Sequence, residues 1–187
     1  MSENIPLPTL LLIEDNEDDI FIFERAYRRS GHQYPVQIVR DGLEAMNYLA
    51  GRECYADRAK FPLPFLILLD LKLPLHGGLD VLEWMRQQPA LAGLPVVVLT
   101  SSAELRDIIR AHRLKARAYL VKPPSADTLK ILPQALDPAN GIKIPGDRFG
   151  DLANACARAS AVLRAWLFGG APAATIPPEL ALSRPAG

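Results

Sequence analysis

The chain has 187 residues, 49% of them hydrophobic, and its 21 basic side chains are balanced by 21 acidic ones. This balance argues against a nucleic-acid-binding surface, which is normally strongly basic. The apolar runs are far too short to cross a bilayer and the first residues do not have the pattern of a signal peptide, so we expect a cytoplasmic protein.

Short apolar runs alternate with helical periodicity along most of the chain. The runs predict buried parallel strands, because such strands are covered on both faces, and apolar positions three and four apart predict helices. In chain order, the first elements are a strand at 9–13, a helix at 18–30, a strand at 37–40, a helix at 43–50 and a loop at 51–64. Next come a strand at 65–69, a helix from Leu79, a strand at 95–99, a helix at 102–113 and a strand at 118–121.

The end of the chain predicts a weaker last helix followed by an extension. Residues 127–136 have helical periodicity, but we expect Pro133 to interrupt it. Residues 137–146 form a turn-rich insertion, and apolar residues at heptad-like spacing predict a helix at about 150–168, before a Pro- and Ala-rich tail. This last helix could pack on its own sheet or join a second copy of the chain.

Strands that alternate with helices predict an α/β fold, with a doubly wound five-stranded parallel sheet and helices on both faces. The functional site of such a sheet lies beyond the C-terminal ends of the strands. Polar side chains follow four of the predicted strands at that point: Glu14 and Asp15, Asp70, Thr100, and Lys122. We therefore expect these five side chains at one edge of the sheet.

These residue types indicate phosphoryl chemistry. Three neighbouring carboxylates repel one another, and a hard divalent cation such as Mg²⁺ relieves that repulsion. Lys122 balances the remaining charge, and Thr100 adds a hydroxyl group. Since a carboxylate can accept a phosphoryl group covalently, the set predicts a magnesium-dependent phosphoryl site.

Each of these residues also has an ordinary structural interpretation. Glu14 and Asp15 could cap the next helix, Asp70 could be structural, Thr100 could begin a helix, and Lys122 could lie on the surface. Their occurrence in order at successive strand ends favours the phosphoryl site.

Four segments, LLLIEDNEDD, LILLDLKLPLHGG, VVVLTSS and AYLVKP, resemble the signature blocks of the receiver domain of two-component response regulators. The similarity covers about residues 9–136 and implies a flavodoxin-like sheet with strand order 2-1-3-4-5. DGLEAMNYL and the long loop before PFLILLDL are similar to stand-alone regulators that partner bacterial phytochromes. The resemblance therefore implies a phosphoryl donor that is a sensor histidine kinase, namely a bacteriophytochrome.

The resemblance also implies which residues bind the Mg²⁺ ion. Asp15 would be a direct ligand, and Glu14 would act largely through water. Asp70 would be both the phosphoacceptor and a ligand, and Lys72 would contribute its backbone carbonyl.

On the phosphoryl side, the resemblance implies that Lys122 pairs with the phosphoryl oxygens and that its peptide bond to Pro123 is cis. Ser101 would add a backbone amide. Thr100 and Tyr119 would form the switch that responds to phosphorylation, although Tyr119 could instead be an ordinary half-buried strand residue.

Phytochrome-partner regulators form dimers through C-terminal arms, so the resemblance implies a homodimer. We divide the chain into a receiver domain over 1–136 and an extension over 137–187 that joins two copies. The extension is too short and too neutral for a typical DNA-binding domain, so we expect output by protein contact. One departure from the family is Gly77, where Asp or Asn is common.

Other functions fit the sequence less well. A magnesium-dependent phosphohydrolase with an aspartate nucleophile often has a second acid two residues on, where this chain has Lys72. A flavin-binding carrier of the same topology would not tolerate the acidic loop after the first strand. A dimerisation module independent of phosphorylation would not need the acceptor residues. We expect no enzymatic activity beyond the receiver's own phosphorylation and dephosphorylation.

Overall fold

The fold was analysed in a computed structural model that describes residues 8–101, 105–135 and 149–150. The strands are β1 Leu10–Ile13, β2 Val36–Val39, β3 Leu66–Asp70, β4 Val96–Thr100, β5 Ala118–Val121 and β6 Phe149–Gly150. The helices are α1 Glu17–Ser30, α2 Gly42–Ala50, α3 Gly78–Gln87, α4 Leu105–Arg113 and α5 Ala126–Ala135, with a short 3₁₀ helix at Glu53–Tyr55. The predicted start of α4 at Ser102 lies outside the described residues.

The strands form one sheet in the order β2-β1-β3-β4-β5-β6, and the first five are parallel. This confirms the predicted α/β fold and the order 2-1-3-4-5. Every residue of β1, β3 and β4 is buried, which explains why their sequences are apolar without alternation.

Two hydrophobic clusters cover the two faces of the sheet. Leu11 and Ile13 of β1 point into the cluster that contains residues of α2 and α3. Leu10 and Leu12 point the opposite way, into the cluster that contains residues of α1 and α5. Helices therefore cover both faces of the sheet. Because its first five strands are parallel, their carboxyl ends meet at one edge.

The long loop predicted before β3 is anchored to α2. The rings of Tyr48, Tyr55 and Phe61 pack together, with centroids 5.0–6.1 Å apart. The Arg58 guanidinium donates hydrogen bonds of 2.8 Å to the carbonyls of Tyr48 and Leu49 at the end of α2. The loop therefore completes the C-terminal end of this helix.

The expectation that Pro133 interrupts the last helix was wrong, since α5 continues to Ala135. Proline lacks the N–H that would bond the carbonyl four residues earlier, which belongs to Leu129. The His32 Nε2 atom lies 3.1 Å from that carbonyl oxygen and 3.1 Å from the carbonyl oxygen of Lys130. A side chain from beyond α1 thus supplies a donor that the helix cannot supply itself.

The sixth strand was not predicted. Phe149 and Gly150 pair antiparallel with Leu120 and Tyr119 of β5, so part of the predicted extension belongs to the sheet. Two residues are too few to carry a periodic pattern. The predicted insertion, the rest of the helix at about 150–168 and the tail lie outside the described residues.

Within the described part of the chain, no helix is both long and apolar enough to cross a membrane.

Candidate functional site

The loop after β1 is shaped by Asn16, which caps α1. Its side-chain oxygen accepts hydrogen bonds from the backbone N–H groups of Asp18 and Asp19, at 2.9 and 3.1 Å. The alternative that Glu14 or Asp15 caps this helix was therefore wrong. Both acids instead lie at the carboxyl edge of the sheet.

Three carboxylates meet at this edge, as the sequence predicted. Glu14, Asp15 and Asp70 each offer an oxygen atom, and these oxygens all lie within 4.8 Å of one another. Glu14 and Asp70 are 1% and 6% exposed, whereas Asp15 is exposed to solvent. Clustered hard oxygen donors with an open side suit a divalent cation that keeps some of its water.

The residues that follow Asp70 hold its carboxylate in place. The backbone N–H of Lys72 donates a hydrogen bond of 3.1 Å to Asp70 Oδ1. Lys72 thus lies beside the acidic cluster, and the role of its carbonyl as a metal ligand stays a prediction.

Lys122 is buried in the acidic cluster, so its interpretation as a surface lysine was wrong. Its Nζ atom lies 2.6 Å from Glu14 Oε2, 2.7 Å from Asp70 Oδ2 and 3.0 Å from Asp19 Oδ2. The side chain is 9% exposed. The peptide bond between Lys122 and Pro123 is cis, as expected.

Asp19 is a site residue that the sequence analysis missed. In the sequence, Asp19 is one of three acids at the start of α1, and acids are common there because they are favoured at a helix N-terminus. Asp19 lies in the first turn of α1, four residues after Asp15, and this short separation is the signal that could have placed it beside the strand ends.

Thr100 and Tyr119 lie where the sequence predicted. Thr100 ends β4 and is 7% exposed, and its carbonyl accepts a hydrogen bond of 2.8 Å from the Lys122 backbone N–H. Tyr119 is half-buried on β5 and packs against the cluster beneath α2 and α3. Ser101 is exposed directly after β4. The signalling roles of these three residues stay predictions.

Two glycines shape the turn between Asp70 and α3. A Cβ atom on Gly78 would lie 2.1 Å from the carbonyl oxygen of Asp70, so a larger residue does not fit. Gly77 is the N-cap of α3, and its N–H donates a hydrogen bond of 3.1 Å to Asp80 Oδ2. Asp80 thus forms one half of a capping box, and the other half is absent because Gly77 has no side chain.

This geometry can be compared with known proteins. Residues 10–132 match the response regulator receiver domain family. The chain belongs to this family.

The receiver is similar to several phytochrome response regulators, which confirms the resemblance drawn from its sequence. Response regulator Rcp1 from Synechocystis sp. is 36% identical over 135 residues, which cover 72% of this chain and 90% of Rcp1. Its Mn²⁺-bound structure has a TM-score of 0.59 and 33% identity, covering 74% of this chain and 99% of that one. The bacteriophytochrome response regulator RtBRR is 35% identical with a TM-score of 0.62, covering 87% and 96% of the two chains. The phosphorylated cyanobacterial phytochrome response regulator RcpA is 32% identical with a TM-score of 0.62, covering 74% and 99%.

The receiver's acidic cluster has too little positive charge for its carboxylates. Burial raises the pKa of Glu14 from 4.5 to about 7, the hydrogen bond from Lys122 opposes this shift, and the charge of Asp70 adds to it. Burial lowers the pKa of Lys122, but its hydrogen bonds to Asp70 and Glu14 outweigh this and raise the pKa above 10.5. Lys122 therefore stays protonated, and one ammonium group balances several acids.

We predict that Glu14→Gln stabilises the receiver when divalent cations are absent. An acid whose pKa is raised by folding loses stability as the pH rises from its unfolded value, 4.5, through its folded value, about 7. Glutamine does not titrate, so the variant should be more stable by up to about 3 kcal/mol near pH 8. The advantage should vanish below the unfolded pKa.

Urea unfolding in a chelator at a series of pH values measures this difference. Glu83→Gln, on the exposed side of α3, is the matched control, and its unfolding free energy should stay within about 0.5 kcal/mol of the wild type's. A constant difference between Glu14→Gln and the wild type across the series would contradict the raised pKa of Glu14.

Proposed function

We propose that this chain is a single-domain response regulator that accepts a phosphoryl group on Asp70 from a histidine kinase of the phytochrome class, with Mg²⁺ as its cation. One observation carries the proposal: Asp70 Oδ2 lies 2.7 Å from Lys122 Nζ beside the mutually close oxygens of Glu14 and Asp15. The names of similar proteins support this donor, since RtBRR is a bacteriophytochrome response regulator and RcpA is a phytochrome response regulator in its phosphorylated form.

In the proposed reaction, an oxygen of the Asp70 carboxylate attacks the phosphorus of a phosphohistidine. The new P–O bond makes an acyl phosphate, and the P–N bond breaks with its electron pair left on the imidazole nitrogen. Lys122 donates hydrogen bonds to the phosphoryl oxygens, and the Thr100 hydroxyl lies at the neighbouring strand end to do the same. Asp15, Asp70 and the Lys72 carbonyl would hold a Mg²⁺ ion, with Glu14 acting largely through water, and the ion would supply charge neutralisation.

The response to phosphorylation in this proposal is a change of protein contacts. Thr100 moves towards the phosphoryl group, and Tyr119 follows by changing its rotamer. The segment over 137–187 joins two copies into a homodimer, and no nucleic acid takes part. The receiver turns over only its own phosphoryl group and is not a metabolic enzyme.

The proposal is tested by exposing the purified protein to acetyl phosphate and Mg²⁺ and measuring its intact mass. The wild type should gain one phosphoryl group, and Asp70→Asn should gain none, because an amide cannot form the acyl phosphate. Asp127→Asn, which changes an exposed acid in the first turn of α5, is the matched control and should be labelled like the wild type. An unlabelled wild type would refute the proposed function.

The kinase class is tested separately by phosphotransfer profiling. The purified regulator is incubated with phosphorylated histidine kinases of its own organism, phytochrome kinases included, and the fastest transfer is identified. Preferential transfer from a kinase without a phytochrome sensor would leave Asp70 as the acceptor and refute the phytochrome assignment.

A further inference from the structure

Asp19 contacts Lys122 without belonging to the group of mutually close carboxylates. Its Oδ2 atom lies 3.0 Å from Lys122 Nζ, and its side chain is 34% exposed. In the described part of the chain, that group consists of Glu14, Asp15 and Asp70. Asp19 therefore differs from the two other acids bonded to Lys122, because both of those are candidate metal ligands.

The three N–H donors of the Lys122 ammonium match its three carboxylate partners. Glu14 and Asp70 face competing demands once the site is loaded, since a cation attracts their oxygens and Asp70 becomes an acyl phosphate. Asp19 faces neither demand. It is thus the partner that can keep its bond to Lys122 in both the empty and the loaded site.

The surroundings of this contact make it stronger than a surface ion pair. Asp19, Lys122 and Glu14 line a small cavity whose other walls are apolar and include Phe23 and Leu99. Apolar walls reduce the screening of the charges, and a charge-assisted hydrogen bond there is stronger than a neutral one.

We propose that Asp19 is a positioning residue that holds the Lys122 ammonium beside the phosphoryl group on Asp70, an inference that rests on the proposed function. Asp19 does not touch the reacting atoms. It acts by limiting the positions that the long, flexible lysine side chain can adopt, so that Nζ is in place when the phosphoryl group arrives.

The first turn of α1 provides a matched control for this proposal. Asp18 is the neighbouring acid in the same turn and is exposed, and the described contacts of Lys122 do not include it. Asp18→Asn and Asp19→Asn each remove one negative charge from the helix N-terminus and keep the side-chain shape. Effects of net charge or helix polarity are therefore common to both variants, and the bond to Lys122 is not.

The experiment measures phosphorylation by acetyl phosphate at saturating Mg²⁺, with the maximal rate separated from the donor concentration that gives half of it. Asp19→Asn should lower the maximal rate about tenfold, because an amide oxygen accepts a weaker hydrogen bond from the Lys122 ammonium than a carboxylate does. Mg²⁺ affinity, measured by calorimetry without phosphodonor, should change less than about twofold, because Asp19 is not in the ligand group. Asp18→Asn should match the wild type in both measurements, and Asp19→Glu should recover part of the rate.

Several outcomes would overturn the inference. Equal rates for Asp19→Asn and Asp18→Asn would show that the charged contact between Asp19 and Lys122 has no role. A tenfold loss of Mg²⁺ affinity in Asp19→Asn would show that Asp19 acts on the cation. Failure of Asp19→Glu to recover any rate, with thermal unfolding like the wild type's, would exclude a charge-based anchor. A wild type that takes no phosphoryl group would refute the proposed function itself, which separates that failure from the others.

Discussion

Gly78→Ala is expected to destabilise the receiver by about 3 kcal/mol and to impair phosphorylation, because an added methyl group overpacks a closed site. Its Cβ would lie 2.1 Å from the carbonyl oxygen of Asp70 and 2.8 Å from the Cα of Leu71. Both obstacles are backbone atoms, so neither can turn away as a flexible side chain would. The strand end that carries Asp70 has to shift, and the phosphoacceptor shifts with it.

Gly93→Ala is the matched control for this substitution. Gly93 is exposed, and a Cβ there would meet nothing within 4 Å. Urea unfolding should show a change within about 1 kcal/mol for this variant, and acetyl phosphate should label it at the wild-type rate. If Gly78→Ala behaved in the same way, the close approach of α3 to Asp70 would not exist in solution.

The sequence predicted the features whose physical cause lies within one short segment. The strands β1, β3 and β4 are buried on both faces, so their positions are apolar without interruption and stand out in the sequence. Each predicted strand ends within one residue of the observed one, and parallel pairing then brings the ends together. Lys122 consequently lies within hydrogen-bonding distance of Glu14 and Asp70, although Glu14 and Lys122 are 108 positions apart in the chain.

The features that were missed depend on contacts between distant segments. Pro133 breaks the helical pattern when α5 is considered alone, and only His32, about a hundred positions away, provides the donor that its position requires. In the sequence, Asp19 is one of several acids at a helix start. Only the folded chain shows its contact with Lys122, the residue after β5. Phe149 and Gly150 form a strand because β5 offers an edge, not because two residues carry a strand pattern.

Lys122→Met is expected to have the second large effect, because it removes the ammonium group that contacts the buried acids Glu14 and Asp70 and the partly exposed Asp19. Methionine keeps much of the length and removes the charge. Without divalent cations near pH 8, the variant should lose about 3–5 kcal/mol of unfolding free energy, as when one partner of a buried ion pair is removed. Its phosphorylation by acetyl phosphate should fall at least about tenfold. Lys130→Met, on the exposed side of α5, is the control and should change neither measurement.

The pH and cation dependence of Lys122→Met separates its charge from its packing. Removing Lys122 takes away the largest influence that opposes burial and raises the pKa of Glu14 further. Such a group loses stability as the pH rises through its folded-state pKa, so the defect should shrink on acidification from about pH 8 to about pH 5. Mg²⁺ should also restore more stability to the variant than to the wild type, because the variant lacks more of the positive charge that the ion supplies. A defect that changed with neither pH nor Mg²⁺ would assign the role of Lys122 to packing alone, and the account of the acidic cluster as a site that needs added positive charge would then be wrong.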